Sequence, residues 1–313
     1  MMLNLYLYLS FVQVALGANR YIIDTDSCLG EVFTKLQYCT DAAIARAGLV
    51  ADVLRPYIQD RNNKPDDRIM KQMTRLFGND DVSTAYDIFA RFDAVRQYVR
   101  IDMDSRSEQW KQIRDKSDLE IHCNADYIIP DSSFPEPNIH WIDDIQKLPV
   151  RDTDAILEFK GEKSTSQAVT SPARAWKVGE VWPDNVPELI TFDPEWIQTA
   201  VAKNSIFNSD RVKKAVHPSL RRNIQVKFQR FTDITNIDVL QTLEFTLLHE
   251  LMHTAVGGLA LDMDDDDSYG WVNCRRLKDT NNAESLAFFG LVIDLIQNHK
   301  YDVNDKGSLK SIT

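Results

Sequence analysis

The stretch from Asp238 to Val256 restricts this chain most, because it places His249 and His253 four residues apart inside an otherwise apolar run. Leu240, Leu243, Phe245, Leu247, Leu248, Leu251, Met252 and Val256 recur at helical spacing, which predicts a buried helix over 238–256. Gly257-Gly258 reads as its left-handed stop. At a rise of about 1.5 Å per residue, side chains four apart project from one face about 6 Å apart along the axis. Two unpartnered imidazoles beside Glu250 would be costly in such a setting, and a shared cation removes that cost. His249-Glu250-Leu251-Met252-His253 therefore reads as a zinc-binding HExxH helix. Both histidines are candidate ligands to one Zn2+, and Glu250 is placed to take a proton from water held by the metal. A surface helix with two unrelated histidines is the bland alternative, and the apolar flanks argue against it.

A catalytic zinc keeps three protein ligands and one water. The metzincin pattern would need Gly and His three and six residues beyond His253, where this chain has Val256 and Leu259. Two sources of a third ligand stay open. One is Glu284, as in gluzincins; the other is an aspartate from the acidic run Asp262, Asp264, Asp265, Asp266 and Asp267.

Composition excludes other classes. Of 313 residues 43% are hydrophobic and 27% charged, the balance of a folded chain rather than a disordered one. Thirty-six Lys and Arg against 47 Asp and Glu give a formal charge of -11, which disfavours nucleic acid and favours cationic peptides. Residues 1–17 lack any charged side chain, are apolar, and end in Ala15-Leu16-Gly17, which predicts a signal peptide and a secreted, extracellular protein. No other run is apolar for long enough to cross a bilayer, so no membrane partner is expected. In an oxidising compartment the four cysteines, Cys28, Cys39, Cys123 and Cys274, suggest two disulfides, with three possible connectivities.

The spacing predicts helices over about 40–58, 67–77 and 81–101, a first extended segment at 119–129, and a second strand at 188–192 followed by a helix from Glu195. Pro56 and the polar residues after it are expected to end the first helix, Pro130 to Pro137 is turn-rich, and the polar segment 160–174 reads as an exposed loop. The expected organisation is one α+β, mainly helical domain over 18–313. Its helical part lies at about 39–101, a long irregular middle at 130–237 and the catalytic part at 238–300.

Asp266-Asp267-Ser268-Tyr269-Gly270 after HExxH, and Asn282-Ala283-Glu284-Ser285 beyond it, resemble the aspzincin metallopeptidases, the family of deuterolysins and fungal peptidyl-Lys metalloendopeptidases. The likeness covers most of residues 39–300 and is specific from His249 to Ser285. It implies a zincin-like fold, one Zn2+ held by His249, His253 and Asp266, and hydrolysis of peptide bonds by Glu250-assisted attack of zinc-bound water. Tyr269 could then hydrogen-bond the oxyanion, and Glu284 would orient a ligand. It further implies Cys39 paired with Cys123, leaving Cys28 with Cys274. Asp264-Asp265 stand where the family has Gly-Thr, and the middle of the chain is longer. The extra acids are expected to attract Lys- or Arg-rich substrates of a monomeric enzyme. Two competing readings are a secreted, zinc-containing binding protein without catalysis and a gluzincin-like peptidase using Glu284.

Overall fold

A computed structural model describes residues 19–131, 141–150, 155–161, 164, 166–171, 185–217, 234–263 and 268–312. The expected signal peptide and Asp266 lie outside them. In chain order come β1 (Arg20–Ile23), α1 (Gly30–Gln59), α2 (Asp67–Phe77), α3 (Val82–Val95), β2 (Val99–Arg100), α4 (Glu108–Ile113), β3 (Leu119–His122) and β4 (Ile128–Pro130). They are followed by β5 (Trp141–Asp143), β6 (Leu148–Val150), a 3-10 turn (Ala155–Lys160), β7 (Ala168–Ser171), β8 (Glu188–Phe192), α5 (Pro194–Ala202) and α6 (Ser209–Val216). A 3-10 turn (Ile237–Leu240) precedes α7 (Leu243–His253), α8 (Trp271–Leu277) and α9 (Ala283–Asp294). A π-helical turn (Leu295–His299) then leads to β9 (Tyr301–Val303) and β10 (Leu309–Ser311). The class is α+β, with a small mixed sheet.

The chain divides into two compact units, residues 1–34 with 97–198, and residues 35–96 with 199–313. The first unit is built on a sheet of order β2-β1-β3-β8-β7, parallel except for β7 against β8. Every residue of β1, β3 and β8 is buried, as central strands covered on both faces require. Their polar members are accordingly partnered. Arg20 meets Asp118 through Nε at 2.8 Å, and Glu120 accepts from Trp110 Nε1 at 2.6 Å and Arg114 at 3.0 Å. His122 lies between Asp24 and Glu120, 3.6 Å and 3.3 Å away. Burial works against its charged form, yet hydrogen bonding to the two carboxylates and their charge outweigh it, pushing its pKa up to about 9. A second antiparallel sheet, β4-β5-β6, accompanies a small core of Ala125, Ile128, Ile156 and Phe159.

The second unit is a helical assembly around α7 and α9. Leu243 to Met252 and Ala283 to Ile293 are buried throughout, which marks interior helices rather than amphipathic surface ones. Phe288 packs edge-on against Phe245 at 4.9 Å and Trp271 at 5.6 Å, and Phe289 against Phe77 at 5.3 Å. Gly290 marks a close crossing of α9 on α7, because a Cβ there would come within 2.7 Å of Leu248 Cδ2. Arg46 of α1 pairs with Asp294 at 3.0 Å.

Several expectations are corrected. The first helix starts at Gly30, because Val32, Leu36 and Cys39 continue the buried stripe before Thr40, itself wholly buried. Its end at Gln59 agrees with the expected end near 58, and Pro56 fits in the last turn, where a proline removes only one helical hydrogen bond. The third helix stops at Val95, and Val99–Arg100 instead pairs with β1. Part of the 160–174 segment is not loop: Ala168–Ser171 forms an edge strand against β8. The cysteine pairing differs too. Cys28 and Cys123 are paired at disulfide distance, with Cα atoms 5.1 Å apart, because they follow the neighbouring parallel strands β1 and β3. Cys39 and Cys274 are buried free thiols.

Candidate metal centre

Helix α7 begins at Leu243, whose amide is bound by Ser205 O at 3.0 Å, and Glu244 in its first turn accepts the Phe207 amide. It ends at His253 rather than at Val256. Thr254 leaves helical geometry, its hydroxyl donates to Leu251 O at 2.7 Å, and it accepts from the Gly257 amide at 3.0 Å. Gly257 is required here because any Cβ would overlap the Leu251 carbonyl. The chain then doubles back, and the Ala260 amide closes on Met252 O at 2.9 Å.

That reversal has a second effect. Ala260 O lies 2.8 Å from His253 Nδ1, so Nδ1 carries the proton and Nε2 presents its lone pair. On the other ring, His249 Nδ1 lies 3.0 Å from Glu284 Oε2, an ion-pair distance, although its angle falls short of a directed hydrogen bond. The acceptor beside it assigns that proton to Nδ1 as well. Both Nε2 atoms consequently face each other, 3.0 Å apart.

Asp262 completes the group. Its loop is stapled in place by a parallel bridge in which Leu261 N donates to Asn281 O at 2.7 Å and Ala283 N donates to Leu261 O at 3.0 Å. Asp262 Oδ1 stands 3.5 Å from His249 Nε2, and Oδ2 stands 3.5 Å from His253 Nε2. The two Nε2 atoms and the Asp262 carboxylate thus converge on one point, where a positive charge, a metal ion or else a proton on an imidazole, balances the carboxylate. Ligand bonds of about 2.0–2.1 Å in a tetrahedral sphere put donor atoms roughly 3.4 Å apart, in line with the 3.5 Å separations. His249, His253 and Asp262 could therefore hold a metal ion, and the donor set does not by itself select zinc. The local field agrees. Burial opposes a charge on His249, but Asp262, Glu284 and Glu250 overcome it and push its pKa up to about 10.

Comparison with protein-family models, curated proteins and solved structures finds no match.

Each residue expected from the sequence can be placed on this frame, Asp266 excepted. Glu250, adjacent to His249 on α7, is buried and its charge acts on both His249 and Tyr269. Tyr269 stacks on His249 with ring centres 5.8 Å apart, and its hydroxyl donates to Asp262 Oδ2 at 2.9 Å. Burial first, then the Asp262 charge, push the phenol's pKa up, so it stays a neutral donor. Glu284 sits at the Nδ1 edge of His249, away from the paired Nε2 atoms. Its other oxygen accepts from Gln241 Nε2 at 2.7 Å and from the Gly270 amide at 3.4 Å.

The residue pattern leaves Asp262 open as one of five aspartates, and the family likeness selects Asp266, which lies outside the described residues. The signal for Asp262 was position: it is the first carboxylate after the Gly257-Gly258 turn, between exposed Leu261 and Met263. Gln241, Asp238 and the Ala260 carbonyl were missed altogether. A polar residue before a helix and a backbone oxygen carry no motif.

Proposed function

We propose that this chain is an exported zinc-dependent endopeptidase of the aspzincin type. The observation that carries the reading is the convergence of the His249 and His253 Nε2 lone pairs with the Asp262 carboxylate, beside Glu250 on the same helix. In this reading His249, His253 and an aspartate hold Zn2+. Asp262 is the aspartate whose geometry supports that role, and Asp266 is the one the family motif supports.

When bound, Zn2+ supplies Lewis acidity toward water and toward a carbonyl oxygen. Glu250 accepts a proton from the attacking water and delivers it to the leaving amine. Glu284 and Ala260 hold the two imidazoles in orientation through Nδ1. Tyr269 fixes the Asp262 carboxylate through its hydroxyl, a role different from the oxyanion contact that the family likeness implies. Substrates are peptides or unfolded proteins, and the formal charge of -11 supports basic ones. The apolar leader and the Cys28–Cys123 pair support export, and among the described residues no helix is long and apolar enough to cross a membrane.

The test is digestion of casein and a Lys/Arg-rich peptide by the purified, zinc-loaded protein. Cleavage that stops on chelation and returns with Zn2+ is the expected result. A metal-loaded protein that cuts no member of a broad peptide library would sustain the non-catalytic binding reading instead.

A further inference from the structure

The 3-10 turn Ile237–Leu240 and the residue that ends it form a bracket behind the metal centre. Gln241 is fixed by its own backbone, where its amide donates to Asp238 O at 3.2 Å, and Thr242 next to it opens α7. Its side chain reaches α9, and the bond from Nε2 to Glu284 Oε1, at 2.7 Å, is the shortest that Glu284 receives. Three residues earlier, Asp238 accepts from the Trp271 amide at 2.8 Å and the Thr235 amide at 2.6 Å. Consecutive amides of one turn, Gly270 and Trp271, are thus gripped by Glu284 and Asp238 respectively. That turn carries Tyr269, whose ring lies on His249.

Glu284 is almost fully buried, so each of its oxygens needs a partner. Without Gln241, Oε1 would keep, among the described residues, only the long contact to Gly270, and the carboxylate would lose its hold against rotation away from His249. We infer that Gln241 is a positioning residue of the metal centre: by occupying Glu284 Oε1, it holds Oε2 against His249 Nδ1 and fixes the direction of the Nε2 lone pair. This inference rests on the metal-site reading above and extends it to a side chain that no ligand pattern names. Partners that orient a ligating histidine typically contribute about 10–100-fold to metal affinity.

The experiment is a double-mutant cycle read as the Zn2+ dissociation constant of the purified full-length protein, by competition with a chromophoric chelator. Gln241→Met keeps the volume and removes the donor, Glu284→Ala removes the carboxylate, and a third protein carries both. Thermal melts of the metal-free forms accompany each titration. The expected result, at a temperature where the melts show every metal-free form folded, is a 10–100-fold weaker dissociation constant for Gln241→Met and less than about a twofold further effect of that substitution in the Glu284→Ala background. Equal affinity of wild type and Gln241→Met would overturn the inference while leaving the metal centre intact. Additive losses in the double variant would also overturn it, because Gln241 would then not act through Glu284. If wild type binds no Zn2+, the metal-site reading itself falls and takes the inference with it. Should Gln241→Met fold poorly, Gln241→Asn, which keeps the amide but withdraws it from Glu284, carries the same expectations.

Discussion

Ala260 turns its carbonyl oxygen onto His253 Nδ1 at 2.8 Å while its amide closes on Met252 O at 2.9 Å. One residue thereby closes the helix end and aims a candidate ligand. The chain leaving α7 is part of the site's geometry before it contributes any side chain, and substitutions in that reversal should be felt as changes in metal binding.

Gly257→Ala tests this. A methyl group at that position overlaps the Leu251 carbonyl, so the reversal from Thr254 to Ala260 must shift. Overpacking of this kind costs about 1–3 kcal/mol. Urea denaturation of the metal-free protein should show that loss, and Zn2+ affinity should fall as well. A variant of wild-type stability would show that the reversal yields freely.

The base and the ligands should separate in their effects. Glu250→Gln should retain Zn2+ and lose about 100- to 10,000-fold in peptide hydrolysis, the usual contribution of a positioned general base. Metal content by elemental analysis and turnover on a fluorogenic peptide decide the matter. Normal turnover would remove Glu250 from the mechanism.

The third ligand is settled by three parallel substitutions. Asp262→Ala should abolish retention of Zn2+ through gel filtration, and Asp266→Ala should leave it in place. The reverse pattern would return the role to the aspartate of the family motif. Loss confined to Glu284→Ala would favour the gluzincin-like arrangement.

His122 gives the first unit a pH dependence. Its folded pKa of about 9 exceeds the ordinary value of 6.5, so the stabilisation from its charged form is fully present below about 6.5 and disappears as the pH rises through about 9. Asp24 and Glu120 supply the opposing charges, and Asp143, itself raised to about 6 by burial, lies close enough to add to them. The difference in unfolding free energy between wild type and His122→Gln should therefore shrink from pH 6.5 to pH 9. A constant difference over that range would mean that His122 is neutral in the fold.

The thiols offer a direct chemical check. Peptide mapping of the unreduced protein should recover Cys28 joined to Cys123, and Cys39 and Cys274 should react with a thiol reagent only after unfolding. Closing a loop across a separation of 95 residues removes about 4–5 kcal/mol of denatured-state freedom, so reduction should lower the melting temperature. Recovery of a Cys39–Cys123 peptide would restore the pairing implied by the family likeness.

Local signals were readable where a single period governs. The helix Asp67–Phe77 and the strand Glu188–Phe192 follow their patterns residue by residue. Reading failed where long-range pairing decides. Val99 and Arg100 continue a helical pattern, yet form a strand because β1 lies alongside. Ala168–Ser171 is too polar to announce a strand, and main-chain bonds to β8 make it one. At the site, the two histidines and their spacing were legible because a helix turns spacing into geometry. The carboxylate was not, since five aspartates close in sequence share one composition, and it is the Leu261–Asn282 bridge, a long-range pairing, that brings Asp262 to the imidazoles.

Gly290 sets how closely α9 lies against Leu248 of α7. With hydrogen in place of a side chain, α9 lies against Leu248 at a separation where a Cβ would press on its Cδ2 and make one of the two shift. Glu284 is six residues earlier on the same rigid rod, about 9 Å along its axis. Thickening the crossing would act as a lever, lifting the carboxylate from the ring it steadies. Efforts to retune this centre should leave that crossing bare and vary the loop that brings in Asp262.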